Sequence, residues 1–324
     1  MSAARVLAFS AREDPAIDYV GTELETRGVE LISFNTDEFP TSGRARFHLD
    51  ARDPDVVFES AGECVAFSEL SALWLRRLDV GASLPASMPD AYRQPARAES
   101  LAALTGLIAT FPGKVVDRLP LIEAAAAKPR QLQLARSLGL SVPRTLITND
   151  PAVAREFAMS CHKGLVAKPL VPLTITDGDG DLGMFTSPVA SADLDYLEGL
   201  TLCPMVFQER LEKKLEIRAT VVGKRVFGAA VDSQSIEASR EDWRRAGADL
   251  DDAWEPHELP NDVAEPLINL VAAFGLHFSG ADIILTPEGR HVFLESNPAG
   301  EWVWIENLLG LGIPRAIANE LLSV

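Results

Sequence analysis

The stretch Gly280-Ala-Asp282-Ile-Ile-Leu285, followed after Pro287-Glu-Gly289 by His291-Val-Phe-Leu-Glu295-Ser-Asn297-Pro298, reads as two apolar strands folded into a hairpin. Side chains alternate across a strand, so Glu295 and Asn297 leave the same face. With a tight turn, Asp282 falls opposite position 294 or 295 of the partner strand. Three oxygen-bearing side chains then converge at one end of the hairpin. Glu295 follows Val292-Phe-Leu294, which places it toward the interior. A buried carboxylate is costly without a counter-charge, and a magnesium ion bound to phosphates supplies one. The same residues also fit a solvated strand end closed by an Asn-Pro turn.

Working outward, Glu216 to Val222 and Arg225 to Asp232, joined by Gly223-Lys224, read as a second hairpin. Glu216 and Arg218 share one face of its first strand, with Ile217, Ala219 and Val221 on the other. A carboxylate can grip a ribose hydroxyl, and an arginine can neutralise a transferring phosphoryl group. An exposed polar face on an edge strand is the competing reading. Leu165-Val-Ala-Lys168-Pro169 is a further strand, and Lys168 at its end suits a phosphate ligand acting as a point charge. Lys128 falls within a helix expected over Leu121 to Leu138, where a plain surface lysine fits equally well. Asp242-Trp-Arg244-Arg245 offers positive charge, or an ordinary charged loop.

The segment Asp177-Gly-Asp-Gly-Asp-Leu-Gly183 contains a formal GxGxxG. Met184-Phe185-Thr-Ser-Pro188 cannot open the long helix that a dinucleotide fingerprint needs, so Rossmann chemistry is disfavoured. The alternating aspartates lack the glycine and glutamate of a calcium loop. A glycine-rich flap over Thr174 to Phe185 fits better, although its acidity leaves a phosphate role open.

Upstream lies an α/β pattern. Strands are expected at Val6 to Phe9, Glu30 to Phe34, Ala72 to Arg77 and Lys114 to Asp117, with helices at Ile17 to Arg27 and Asp90 to Thr110. Phe47 to Asp50 and Val56 to Glu59, around Asp53-Pro54, suggest a hairpin. Arg144 to Thr148 reads as a strand, and Asn149-Asp-Pro151 as the start of a helix running to about Cys161. The net charge of −17 opposes nucleic-acid binding. No apolar run is long enough for a membrane span, and the N-terminus reads as a first strand, so a cytoplasmic protein is expected. Three scattered cysteines make no disulfide framework, and no Cys/His cluster signals zinc.

The order of Lys128, Lys168, the glycine-rich loop, Gln208-Glu-Arg-Leu211, Glu216-Ile-Arg218, Asp282 and Glu295-Ser-Asn-Pro298 resembles the ATP-grasp superfamily. More narrowly, the chain resembles the microviridin-type (graspetide) peptide macrocyclases. The resembling features are Leu73-Trp-Leu-Arg-Arg77, Lys128-Pro-Arg-Gln-Leu132, Pro143-Arg-Thr-Leu-Ile-Thr-Asn149, Gln208-Glu-Arg-Leu211 and Glu216-Ile-Arg-Ala-Thr-Val-Val-Gly223. They continue in Asp242-Trp-Arg244 and Glu295-Ser-Asn-Pro-Ala-Gly-Glu-Trp302.

The resemblance implies an α/β (α+β) ATP-grasp fold: an N-terminal pre-ATP-grasp domain (1–118), a central subdomain with the flap (119–202) and a C-terminal subdomain (203–324). It implies an ATP- and Mg2+-dependent carboxylate ligase. Lys128 and Lys168 would contact phosphates; Gln208, Glu209 and Leu211 would form the adenine hinge; Glu216 would hold the ribose. Asp282, Glu295 and Asn297 would hold magnesium, while Arg218 and Arg244 would receive the acceptor carboxylate and its phosphoryl group. The implied partner is a precursor peptide with a leader and a Thr/Asp/Glu-rich core, and a homodimer is implied by analogy. Esters to Thr or Ser are the expected product. Amides to Lys, a glutamate-ligase-like reaction on free amino acids, and a non-catalytic nucleotide-binding regulator are the alternatives. Asp242 and Glu301 are the candidates for a base.

Overall fold

The computed structural model describes residues 4–49, 55–171, 174–177, 180–183 and 186–323. Its first part contains β1 (Ala4–Ser10), α1 (Ala16–Glu25), β2 (Val29–Asn35), β3 (Arg44–Phe47), β4 (Val56–Ser60), β5 (Glu63–Ala66), β6 (Ala72–Leu75), α2 (Asp90–Ala109) and β7 (Lys114–Val116). Strands β2-β1-β6-β7 form a parallel sheet, as the alternation of strand and helix signals requires. The hairpin expected around Asp53-Pro54 is present as β3 with β4, pairing Phe47 with Val56 and Arg44 with Glu59. Asp50 and the Asp53-Pro54 tip lie outside the described residues. The antiparallel β5 extends this hairpin into a three-stranded sheet.

Next come α3 (Leu119–Ala125), α4 (Lys128–Ser137), β8 (Thr145–Thr148), α5 (Pro151–Met159), β9 (Leu165–Lys168), β10 (Thr174–Asp177), β11 (Gly180–Gly183), β12 (Ser187–Val189) and β13 (Met205–Glu209). The single helix expected over Leu121 to Leu138 is two helices. Pro129 lacks an amide hydrogen and disfavours a helical residue before it, so α3 stops at Ala125 and α4 restarts at Lys128 with proline in its first turn. Lys128 therefore sits at a helix start rather than on a helix flank. Asp150 caps α5 as expected, accepting from the amides of Ala152 and Val153. The glycine-rich flap is a hairpin in which Thr174 pairs with Gly183 and Asp177 with Gly180; Gly178, Asp179, Met184 and Phe185 lie outside the described residues. Strands β12-β9-β13-β8 make an antiparallel sheet. Dividing the sequence at 202 assigns β13 to the last part of the chain, whereas its hydrogen bonds are to β8 and β9. That pairing is non-local, and no local signal reveals it.

The last part comprises β14 (Leu215–Val222), β15 (Arg225–Val231), β16 (Glu255–Pro256), α6 (Asn261–Ala273), β17 (Phe278–Leu285), β18 (His291–Asn297), α7 (Val303–Leu309) and α8 (Ile313–Leu322). Both expected hairpins lie in one antiparallel sheet, β16-β15-β14-β17-β18. Strand β14 is thus central, which excludes an exposed edge for Glu216 and Arg218. One face of this sheet buries Ile217, Ala219, Val221, Ile283 and Phe293 against Val263, Leu267 and Leu270 of α6 and Ala135 of α4. A second core fuses the two ends of the chain: Ile313, Ala316, Ile317 and Leu321 of α8 pack with Val6, Ala8, Val20, Leu24 and Trp302. No helix among the described residues is long and apolar enough to cross a membrane. All three cysteines are free; Cys161 is buried, while Cys64 and Cys203 are exposed rather than packed as small apolar residues.

The hairpin that opened the reading has one irregularity. Leu285 pairs with His291 and Ile283 with Phe293, a register that would set Asp282 against Leu294. A bulge intervenes, and Asp282 faces Glu295 instead. The extra residue, Leu294, lets Phe293 stay in the core while Glu295, two positions later, faces the opposite way. Phe293 is 1% exposed. Phe293→Ala is expected to cost about 3–5 kcal/mol in denaturant unfolding, the usual loss for emptying a packed aromatic site.

Candidate active site

Between the β12-β9-β13-β8 sheet and the β16-β15-β14-β17-β18 sheet lies a cavity of about 660 Å³. This is within the range of small-molecule sites. Strand β9 contributes Val166 and Lys168, and β13 contributes Gln208 and Glu209, with Arg210 to Lys213 continuing along the rim. The facing sheet contributes Glu216, Asp282, Ile284, Leu294, Glu295 and Asn297, and Arg244 enters from the loop after β15. Lys128 reaches in from the start of α4. The residues expected to hold nucleotide and magnesium all line this cavity, as do Arg244 and Asp242, whereas Glu301 does not and Arg218 lies behind Asp282.

The acidic end is fixed by backbone register and by one buried amide. Asp282 pairs with Glu295 and with Arg218, and Gly280 pairs with Asn297. The Gln131 side chain, 2% exposed, donates to the carbonyls of Ala125 and Ser296, both at 2.6 Å, and accepts from the Ser296 amide at 3.0 Å. It therefore pins β18, between Glu295 and Asn297, to the helix that carries Lys128. Lys128 Nζ lies 3.1 Å from Glu295 Oε2 and donates to the Pro169 carbonyl at 3.3 Å. Arg218 Nη1 donates to Asp282 Oδ1 at 2.9 Å, and the Asn297 amide donates to Asp282 Oδ2 at 3.3 Å.

Burial pushes the Asp282 carboxyl above its ordinary range, partly offset by Arg218. Burial acts on Glu295 in the same sense, but Lys168 and Lys128 outweigh it and hold Glu295 below the usual range. Lys168 is lowered by burial, with Glu295 opposing. Among the described residues no three His, Cys, Asp or Glu gather as a cation site, so a cation held by Asp282 and Glu295 would need the Asn297 amide oxygen as its third protein ligand. Two carboxylates and an amide oxygen, all hard donors, suit magnesium. A buried carboxylate as strained toward protonation as Asp282 gains from such a charge. The donor set fits the ion.

At the other end Glu216, 8% exposed, accepts from Lys213 Nζ at 2.9 Å. Burial raises its pKa more than Lys213 lowers it. Lys213 also donates to the Glu241 carbonyl at 2.9 Å, and Arg210 bonds the Glu241 side chain. The adjoining Asp242 is buried and grips Arg244 with both oxygens, at 2.8 and 2.7 Å, holding the guanidinium firmly charged. Arg245 donates to the Thr186 carbonyl at the base of the flap. The loop bearing Arg244 is thus tied to the rim after β13 on one side and to the flap on the other. Trp243 meets Trp254 edge to face and Trp304 at a tilt, with ring centroids at 5.2 Å from each. Neither candidate base is free: Asp242 holds Arg244, and Glu301 is bonded by Arg77 at 2.7 Å and by Arg76.

A family model described as the MvdD pre-ATP grasp domain matches residues 5–123. A RiPP-associated ATP-grasp ligase from Chryseobacterium gregarium, solved with ADP, a leader and a core peptide, is 30% identical over 98% of this chain and 96% of its own, with a TM-score of 0.93. The macrocyclase MdnC from Microcystis aeruginosa, solved with the precursor peptide MdnA, is 34% identical over 98% and 99%, with a TM-score of 0.88. The chain belongs to the graspetide family of ATP-grasp ligases. The macrocyclase MdnB from the same organism is 31% identical over 99% of this chain and all of its own, at a TM-score of 0.81. No curated protein sequence matches. This ligase is ATP-dependent and has the expected α/β ATP-grasp fold.

Sequence reasoning missed Lys213, which lines the ligase's cavity, and several residues that brace it from outside. Lys213 sits in the loop-like run Glu212-Lys213-Lys214 and gives no signal until it is seen against Glu216. Gln131 stood inside a resembling motif, but its partner Ser296 is distant in sequence. Arg76 and Arg77 were quoted in a motif without a role.

Because burial raises Glu216, the folded chain binds its proton more tightly than the unfolded one does. Its carboxylate therefore weighs against stability once pH rises above the folded pKa, and that burden is absent below the unfolded pKa, about 4.3. Glu216→Gln is expected to raise Tm relative to wild type by more at neutral pH than at strongly acidic pH, in thermal unfolding at both. The same variant should weaken nucleotide binding at neutral pH by about tenfold, the loss of one charge-assisted hydrogen bond.

Proposed function

We propose that this ligase uses ATP and Mg2+ to activate Asp or Glu side chains of a ribosomally made precursor peptide and joins them to Thr or Ser hydroxyls as intramolecular ω-esters. The observation that carries the reading is the acidic end of the cavity. There Asp282, Glu295 and Asn297 meet Lys128, Lys168 and Arg244 between two sheets, with Arg218 bonded to Asp282 from behind. The likeness to ligases solved with ADP and with leader, core or precursor peptides supports both the nucleotide and the peptide.

In this reading Gln208 to Leu211 line the edge of the adenine, with Val166, Ile284 and Leu294 supplying apolar walls. Glu216, kept in place by Lys213, accepts the ribose hydroxyls. Lys168 and Lys128 hold the phosphates, and Lys128 exchanges its bond to Glu295 for one to phosphate. Asp282, Glu295 and Asn297 would hold magnesium, which when bound neutralises phosphate charge and orients the terminal phosphoryl group. Arg244 and Arg218 neutralise the acceptor carboxylate so that it can approach that group. Its oxygen takes the phosphoryl and ADP leaves. A peptide hydroxyl then attacks the acyl carbon and expels phosphate, with net loss of one water per ring. The flap over Thr174 to Phe185 keeps bulk water from the acyl phosphate. Amide formation with a Lys nucleophile uses the same first half-reaction, and the incoming amine supplies its own basicity.

Incubation with ATP, Mg2+ and a leader-bearing peptide rich in Thr, Asp and Glu should give mass losses of one water per ring. Glu295→Gln and Arg218→Ala should each reduce that dehydration by about 10²-fold or more while leaving the far-UV dichroism of a folded chain. Full dehydration by either variant counts against the assigned roles. Loss of water only when free amino acids replace the peptide points to the glutamate-ligase-like alternative.

A further inference from the structure

The guanidinium of Arg218 lies in a slot whose two walls are main chain. A methyl group built on Gly280 would stand 2.5 Å from Nη2 and 2.7 Å from Cζ; one built on Gly300 would stand 2.5 Å from Nη2 and 3.1 Å from the Asn297 carbonyl. Neither glycine has a left-handed φ, so backbone conformation does not call for glycine at either place. Close approach does. Gly280 is held in β17 opposite Thr220 and Asn297, and Gly300 closes a turn by donating to the Asn297 carbonyl at 3.0 Å.

Within the slot each end of the guanidinium has an acceptor. Nη1 donates to Asp282 at 2.9 Å and Nη2 to the Glu301 carbonyl at 3.3 Å. Glu301 is itself anchored: its carboxylate bonds Arg76 and Arg77, and both arginines lie within 3.6 Å of the buried Asp14. The end of the N-terminal parallel sheet thereby fixes the segment that walls the slot.

We propose that Gly280 and Gly300 are positioning residues for the ligation, forming a slot one guanidinium thick that holds Arg218 flat beside Asp282. The inference rests on the role given to Arg218 above. A methyl group at Gly280 meets only the distal end of Arg218, and one at Gly300 meets that end most closely, with the Asn297 carbonyl next at 3.1 Å; the walls are backbone, so the guanidinium is the part that gives way first. Asp282 then loses its buried partner, and the acceptor carboxylate loses a fixed cation.

The test is a thermodynamic cycle on the full chain. Gly280→Ala and Gly300→Ala are made singly, each in the Arg218 chain and in an Arg218→Ala chain. Tm is read without ligands, and in the Arg218 chain turnover of the peptide and affinity for ADP are read as well. Each glycine variant is expected to lower Tm in the Arg218 chain and to cause no further fall once Arg218 is alanine. Peptide turnover should drop about tenfold or more, while ADP affinity stays within about twofold. An equal Tm loss in both backgrounds assigns the glycines a backbone role and overturns the proposal; unchanged Tm with undiminished turnover overturns it too. Should the wild-type chain leave the peptide unmodified, the functional reading fails, and the Tm cycle still decides the slot.

Discussion

The constraint on which this molecule turns is charge balance at the buried end of its cavity. Asp282 and Glu295 face each other across two strands, and each is tolerated because a cation lies against it: Arg218 at 2.9 Å and Lys128 at 3.1 Å. Removing one partner of such a pair strands the other charge at a cost of about 3–5 kcal/mol. The chain as a whole carries −17, yet lysines and arginines are gathered where phosphates would go. The cavity's lining carries as many Asp and Glu as Lys and Arg, so a strongly acidic chain is locally balanced there. In the function proposed above, a bound magnesium would answer the carboxylates while the lysines turn to the phosphates.

Much of this was legible because it is local. The alternation of Glu216, Ile217, Arg218 and Ala219 showed which side chains share a face, and Asp282 opposite 294 or 295 followed from turn length alone. The bulge that decided for Glu295 gave no signal, because an extra residue in an apolar run looks like any other apolar residue. The break before Pro129 was legible in principle, since proline forbids the uninterrupted helix. An alanine-rich approach, favourable to helix, masked it.

What was not legible depends on pairs distant in sequence. Strand β13 joins the central sheet by bonding β8 and β9 on its two edges, and α8 fills the space between the first and last sheets. Gln131 acquires meaning only beside Ser296, and Lys213 only beside Glu216 and Glu241. Single-sequence reading supplied the chemistry of the cavity; non-local pairing supplied the scaffold that aims it.

The three indoles around Arg244 have a consequence beyond packing. Trp243, Trp254 and Trp304 lie with their ring centroids 4.9–5.2 Å apart at unlike tilts. Chromophores so close share their excited states, so their near-ultraviolet optical activity belongs to the trio and depends on mutual orientation. Trp243 is the covalent neighbour of Arg244, and any swing of that arginine's loop rotates one member against the other two. The chain thus carries a built-in optical gauge of the Arg244 loop, one that needs no attached label.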